Sequence, residues 1–184
     1  MHICIFEDNN CLDFEPLIYS RPVYDLICGT FTLKEKLLLS FGNPDYSLHC
    51  RNYLQNITKR NNPGKKVNQL PEEDCLFVNG RVIGDNNLKS TFNSINKKKK
   101  IFTSNNQLAA VFVPQSDMNS LINLQNDLFD LSFFKDYEKN EVKVQMVNYI
   151  WDIININGEE IKKDFELRIS SHNGLNYLNE VSDT

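Results

Sequence analysis

The chain has 184 residues, 41% of them hydrophobic and 24% charged, with a net charge of −4. That size and balance fit one soluble globular domain able to bury a core without staples, and the net negative charge disfavours a general nucleic-acid binder. No apolar run approaches the roughly 18 residues a membrane span requires, and Met1–Phe6, followed at once by Glu7-Asp8, is too short to be expected to act as a signal peptide. Five cysteines, at 4, 11, 28, 50 and 75, form no Cys-x-x-Cys pair. An odd, scattered set predicts free thiols and a cytoplasmic location.

In chain order, His2–Phe6 reads as a buried strand. It is followed by a loop to Glu15 carrying Glu7, Asp8, Asp13 and Glu15. Such a loop is either a solvated turn or, through Asp8 nearest the strand end, a metal or ribose contact. Strand, polar loop and helix in that order present ligands at a strand's carboxyl end in α/β folds. In Ser20-Arg21-Pro22 the proline biases Arg21 toward extended backbone. From there its guanidinium either forks onto a phosphate or pairs with a carboxylate such as Asp25. Gly29 permits a tight turn or close approach. Thr32-Leu-Lys-Glu35 is a capping box, and a helix running to Phe41 stops at Gly42 and Pro44. Lys34 and Lys36 lie near that helix's positive end, where an anion would compensate them.

Tyr46–Cys50 reads as a strand. Residues 51 to 70, around Asn61-Asn-Pro-Gly64, read as a basic turn or mobile loop. Cys75–Val78 is a strand ending in Asn79-Gly80-Arg81. Asn-Gly between apolar pairs signals a hairpin; the functional alternative sets Asn79 and Arg81 at the mouth of a cleft. Asp85 lies in the next turn. A short helix is expected over 88 to 96, and a solvated turn at Lys97–Lys100. Paired strands follow around Ser104-Asn-Asn106, then a helix from Gln115 to about Asn126, with Met118, Leu121, Ile122 and Leu124 as core candidates. Residues 128 to 137 are aromatic and read as core or interface. Glu141–Met146 alternates as a half-buried strand. A helical region follows Asp152, broken at Asn157-Gly158, with Trp151 as a packing anchor.

The three histidines, 2, 49 and 172, are scattered, with no triad, zinc-hydrolase or Walker spacing. Positioning chemistry by Arg, Lys, carboxylates and magnesium remains.

The stretch Pro16-Leu-Ile-Tyr-Ser-Arg-Pro-Val-Tyr-Asp-Leu-Ile-Cys-Gly-Thr-Phe-Thr-Leu-Lys-Glu-Lys36 resembles the Thr-Arg-Pro…Gly…Thr-Ile-Arg-Glu-Lys signature of the bacterial alternative GlmU-type sugar nucleotidyltransferases. Phe77-Val-Asn-Gly-Arg81 resembles that family's strand end. Tyr149-Ile-Trp-Asp152, with Asn157-Gly and Ile161-Lys-Lys-Asp-Phe165, resembles its Trp-Asp…Asn…Ile…Asp-Phe segment. The resemblance implies a Rossmann-like α/β sandwich with a mixed, mostly parallel sheet over residues 1–170, and a polar tail at 171–184. It implies joining a sugar 1-phosphate to a nucleoside triphosphate to give a nucleotide sugar such as UDP-N-acetylglucosamine. It also implies a left-handed β-helix domain beyond this chain, through which such proteins form homo-oligomers. On this reading Arg21 and Lys36 are catalytic, Ser20, Gly29, Lys34, Asn79, Gly80 and Arg81 bind substrate, and Asp8 or Asp85 holds Mg2+. The loop Glu7–Asp13 lacks the superfamily's glycines, its Pro-Lys is Pro22-Val23, and its metal-binding Gly-Asp is Gly80-Arg81. Those departures keep a second reading open: a catalytically degenerate domain that binds a sugar nucleotide, or a scaffold.

Overall fold

The computed structural model describes residues 2–92, 98–126 and 128–171. The chain runs β1 (His2–Phe6), a 3-10 turn (Asn9–Phe14), β2 (Ile27–Cys28), β3 (Phe31–Thr32), α1 (Leu33–Ser40), β4 (Tyr46–Leu48) and α2 (Gln55–Asn61). It continues through β5 (Cys75–Asn79), α3 (Leu88–Thr91), β6 (Lys100–Ser104), β7 (Gln107–Val113), a 3-10 stretch (Gln115–Asn126), β8 (Glu138–Glu141) and α4 (Ile150–Ser171).

Six strands form one mixed sheet in the order β4-β1-β5-β7-β6-β8, flanked by helices, as expected for this α/β class. β1 pairs in parallel with β4 and β5, and β6 with β8. The β5–β7 and β6–β7 pairs are antiparallel. β1 and β5 are buried along their whole length, which explains their unbroken apolar runs. One face of the sheet packs on Leu37, Phe41, Leu54 and Phe92; the other packs on Met118, Leu121, Phe129 and Phe134. Phe129 stacks on Phe6 at 4.5 Å. The aromatic segment therefore serves the core, with Phe133 alone of its phenylalanines exposed.

Local signals hold where the chain itself satisfies them. The Thr32 side chain accepts from the Glu35 amide while Glu35 returns to the Thr32 amide, and α1 ends with Gly42 at φ +79°. Tertiary partners overrule several other expectations. Residues 51 to 70 hold α2 and a buried Arg51 rather than a loose loop. Asn79-Gly80 makes no hairpin, because β5 already has β1 and β7 as neighbours. Lys100 is buried in β6 and pairs with Glu138 at 3.4 Å. The strand expected at 141 to 146 lies earlier, at β8, leaving one bridge from Met146 to Val82. α4 runs unbroken through Asn157-Gly158, and Trp151 is 57% exposed. The side chains of Ile122 and Leu124, residues 93 to 97 and the tail from 172 lie outside the described residues. No described helix is long and apolar enough to cross a membrane. All five cysteines are free and buried.

His2, at the amino end of β1, is buried and hydrogen-bonded to Ser47 at 2.9 Å. Burial holds its pKa below the ordinary value, with Glu73 and Asp45 acting in the opposite direction. The unfolded chain therefore binds the proton more readily. The contribution of this group to stability is full above about pH 6.5 and is lost as pH falls. His2→Gln should flatten the stability–pH slope between about pH 5 and 7, by at most about 1.4 kcal/mol per pH unit. Urea midpoints across that range check this, and identical slopes for the two proteins would refute it.

Candidate functional site

From β1 the chain passes to β4 on one side and later to β5 on the other. That reversal makes the carboxyl ends of β1 and β5 the topological switch point, where open α/β sheets place ligands. Two buried ion pairs are built there.

The first joins Asp8, just past β1, to Arg81, just past β5. Arg81 Nε donates to Asp8 Oδ1 (2.9 Å) and Nη2 to Asp8 Oδ2 (2.6 Å). Nη2 also donates to Gln107 Oε1 (3.0 Å), and Nη1 to the Val147 carbonyl (2.9 Å) and Asn148 Oδ1 (2.8 Å). All five guanidinium N–H groups are thus satisfied, and the residue is completely buried. Asn79 Nδ2 donates to Asp8 Oδ2 (2.9 Å) and the Leu108 carbonyl (2.8 Å), while its Oδ1 accepts from the Arg81 amide (2.9 Å). Between them, Gly80 donates its amide to the Phe6 carbonyl (2.8 Å). A Cβ there would stand 2.9 Å from the Tyr24 side chain, so the position admits only glycine without rearrangement.

The second pair joins Glu7 to Arg51, just past β4. Arg51 Nε and Nη2 each donate to Glu7 at 3.2 Å. Burial works against the Arg51 charge, but the Glu7 carboxylate outweighs it and holds the guanidinium above its ordinary pKa. The pair also fixes the segment carrying Ser20-Arg21-Pro22. Arg51 Nη2 donates to the Ile18 (2.8 Å) and Arg21 (3.1 Å) carbonyls, and the Val23 amide donates to Glu7 Oε1 (2.8 Å). Ser20 and Arg21 are exposed on that pinned backbone. Tyr19 and Tyr53 are exposed beside it, and the Tyr53 hydroxyl accepts from Arg51 Nη1 (2.9 Å).

The remaining expected residues sit elsewhere. Asp25 pairs with Lys34 (2.8 Å), not with Arg21, and Lys34 also donates to Asn62 Oδ1 (2.9 Å). Lys36 is buried under α4, where it bridges Glu160 (2.9 Å) and Asp164. Gly29, at φ +76°, donates its amide to Asn157 Oδ1 (2.8 Å), and the Thr30 amide donates to Asp164 Oδ2 (2.7 Å). Lys36 and Gly29 thus meet α4, while Asp8, Asn79, Gly80 and Arg81 meet one another at the switch point. Asp85 occupies an exposed turn and accepts from the Asn87 amide (2.8 Å).

Sequence reading passed over Glu7, Arg51 and Glu160. Asn157, Glu160 and Asp164 recur at i, i+3 and i+7, a polar stripe on one helical face. That spacing was the available signal for a docked helix with buried partners. No signal of that kind marks Arg51.

Both oxygens of Asp8 are engaged by Arg81 and Asn79. Among the described residues no three His, Cys, Asp or Glu side chains converge as a metal site requires. The residues as placed do not fit a resident magnesium ion held by Asp8 or by Asp85.

A family model described as sugar nucleotidyl transferase matches residues 3–173. No curated protein matches the chain. Among solved structures, one from Bacillus anthracis assigned as a glucose-1-phosphate thymidylyltransferase aligns at a TM-score of 0.61 and 7% identity. That alignment covers 87% of this chain and 94% of that one. Molybdopterin-guanine dinucleotide biosynthesis protein A from Archaeoglobus fulgidus aligns at 0.56 and 11%, covering 86% and 98%. At such identities the likeness is one of fold.

Proposed function

Since the chain belongs to the sugar nucleotidyl transferase family, we propose that it joins a nucleoside triphosphate to a sugar 1-phosphate at the rim of the β1/β5 switch point. The observation that carries this reading is Arg21. Its backbone is pinned by the buried Glu7–Arg51 pair, while its exposed side chain has no partner among the described residues. A guanidinium held there matches two phosphate oxygens at once.

In the reaction, an oxygen of the sugar 1-phosphate attacks the α-phosphorus in line. The bond from that phosphorus to the bridging oxygen breaks, and pyrophosphate leaves with the electron pair. Catalysis of such a step is positioning and charge stabilisation. Arg21 holds the triphosphate and meets the charge that grows on the leaving group. Ser20 adds a hydroxyl beside it, and the exposed rings of Tyr19 and Tyr53 offer stacking surface for a nucleobase. Magnesium enters as part of the triphosphate substrate. Formation of UDP-N-acetylglucosamine is the finer form of this reading and rests on the motif resemblance alone.

Pyrophosphate release, assayed over a panel of triphosphates and sugar 1-phosphates with magnesium, tests the reading. Turnover should require both substrates. Arg21→Ala should lower kcat/KM by about 10²-fold with an unchanged Tm. The filled switch point favours a second reading, a degenerate domain that binds a nucleotide sugar. Absence of pyrophosphate with every pair, together with a thermal shift on adding a nucleotide sugar, would decide for that reading.

A further inference from the structure

α4 has two apolar faces, and the described residues cover only one. Ile150, Ile153 and Ile156 pack toward the β2–β3 side, beside Asn157, Glu160 and Asp164. Trp151, Ile154, Gly158, Ile161 and Phe165 form a separate stripe. The four large side chains in it are between 42% and 67% exposed. Their spacing of three, four, three and four is the heptad seam of a helix that packs lengthwise on another helix. Tyr149 stacks on Trp151 (4.5 Å between ring centres) and extends the stripe.

The order of residues in the stripe identifies the occupant. Read from either end it is aromatic, aliphatic, glycine, aliphatic, aromatic. Two copies laid antiparallel about Gly158 set Trp151 against Phe165, Ile154 against Ile161, and Gly158 against Gly158. A two-fold interface must be self-complementary in this way, residue i meeting j while j meets i. Among the described residues nothing within one chain requires a glycine at 158. It sits inside a 22-residue helix, and a Cβ added there would meet nothing within 4 Å. A helix-interior glycine costs about 1 kcal/mol relative to alanine. At the centre of a helix pair it lets the two backbones approach. The exposed apolar side chains amount to roughly 500 Å2 per copy, or about 1,000 Å2 for a pair, which is the lower threshold of a biological interface and the size of a weak, reversible one. Glu159 and Lys162, also exposed, pair with each other at 2.9 Å and need not be desolvated.

We propose that the chain forms a two-fold dimer by antiparallel packing of α4 on α4 of a second copy, centred on Gly158. This pairing is independent of the reading of the switch point. Sedimentation velocity of the full 184-residue chain tests it. The wild type should be dimeric at roughly 100 µM, and Ile154→Glu should weaken the dimer by at least about 10²-fold. Because Ile154 is exposed, far-UV circular dichroism of that variant should be unchanged. Ile154→Glu combined with Ile161→Lys should restore the dimer, since each new carboxylate then faces a lysine of the other copy. A parallel pair would instead set like charges together. A monomeric wild type at that concentration would overturn the proposal, with another segment or protein covering the stripe. A dimer that survives Ile154→Glu would overturn it as well, and so would a double variant that stays monomeric.

Discussion

Asp8→Ala should destabilise the protein by about 3–5 kcal/mol, the usual loss when one partner of a buried ion pair is removed. The substitution leaves the Arg81 guanidinium buried with its Nε and one Nη2 donor unpaired, and takes an acceptor from Asn79. The loss arises mainly from the stranded charge, so removing both charges should cost far less. Asp8→Leu with Arg81→Met should recover most of the stability, as apolar replacements of buried pairs commonly do. Urea unfolding gives both numbers, and a constant m value would show that the denatured state is not responsible. A loss below about 1 kcal/mol in Asp8→Ala would mean that the pair is not the structural tie described above. It would also return Asp8 to consideration as a ligand.

Lys36→Met should be of similar size, about 3–5 kcal/mol. It takes the buried ammonium from Asp164, which is left with the Thr30 amide and hydroxyl, and from Glu160, which is left with Lys163 at 2.7 Å. The expected signature is local as well as global. Amides of α4 should lose hydrogen-exchange protection before those of β1 and β5, because the Gly29, Thr30 and Lys36 ties supplement only a partly buried apolar contact through Ile150, Ile153 and Ile156. Adding Glu160→Gln and Asp164→Asn should restore much of the stability. The triple variant also separates structure from chemistry at Lys36. Recovered turnover along with recovered stability would assign Lys36 to helix docking. Recovered stability without turnover would assign it a contact to substrate.

The two variants concern one arrangement. Residues of the motifs that resemble the family signature meet one another at two places, Lys36 with Asp164 and Gly29 with Asn157, and a third motif residue, Arg81, meets Asp8 of the loop that departs from the superfamily pattern. Asp152 accepts from the Asn148 and Tyr149 amides at 2.7 and 3.0 Å and so caps the start of α4. Arg81 also reaches the Val147 carbonyl, which ties the start of α4 to the switch point. Ser20 and Arg21 are exposed parts of the signature, beside the exposed ring of Tyr19.

Local features of the fold follow from short stretches of the chain. The apolar runs of β1 and β5, the Thr32–Glu35 capping box, the Gly42 stop and the β6–β7 hairpin with left-handed Asn105 and Asn106 follow from backbone and neighbour preferences within a few residues. The order of strands, loops and helices was therefore legible, and with it the α/β class and the strand end where a site belongs. Which charges are solvated depends instead on contacts between distant parts of the chain. Arg51, Lys36 and Arg81 look alike in sequence to surface cations. Each is buried because a carboxylate distant along the chain, Glu7, Glu160 with Asp164, or Asp8, arrives at hydrogen-bonding distance. The same holds for Asn79-Gly80, whose hairpin preference yields to two sheet neighbours already in place, and for Asn157-Gly158, where docking on Gly29 carries the helix through a sequence that would otherwise end it. A buried charge is stable only with its partner, and the partner's position is a property of the fold rather than of any stretch of chain.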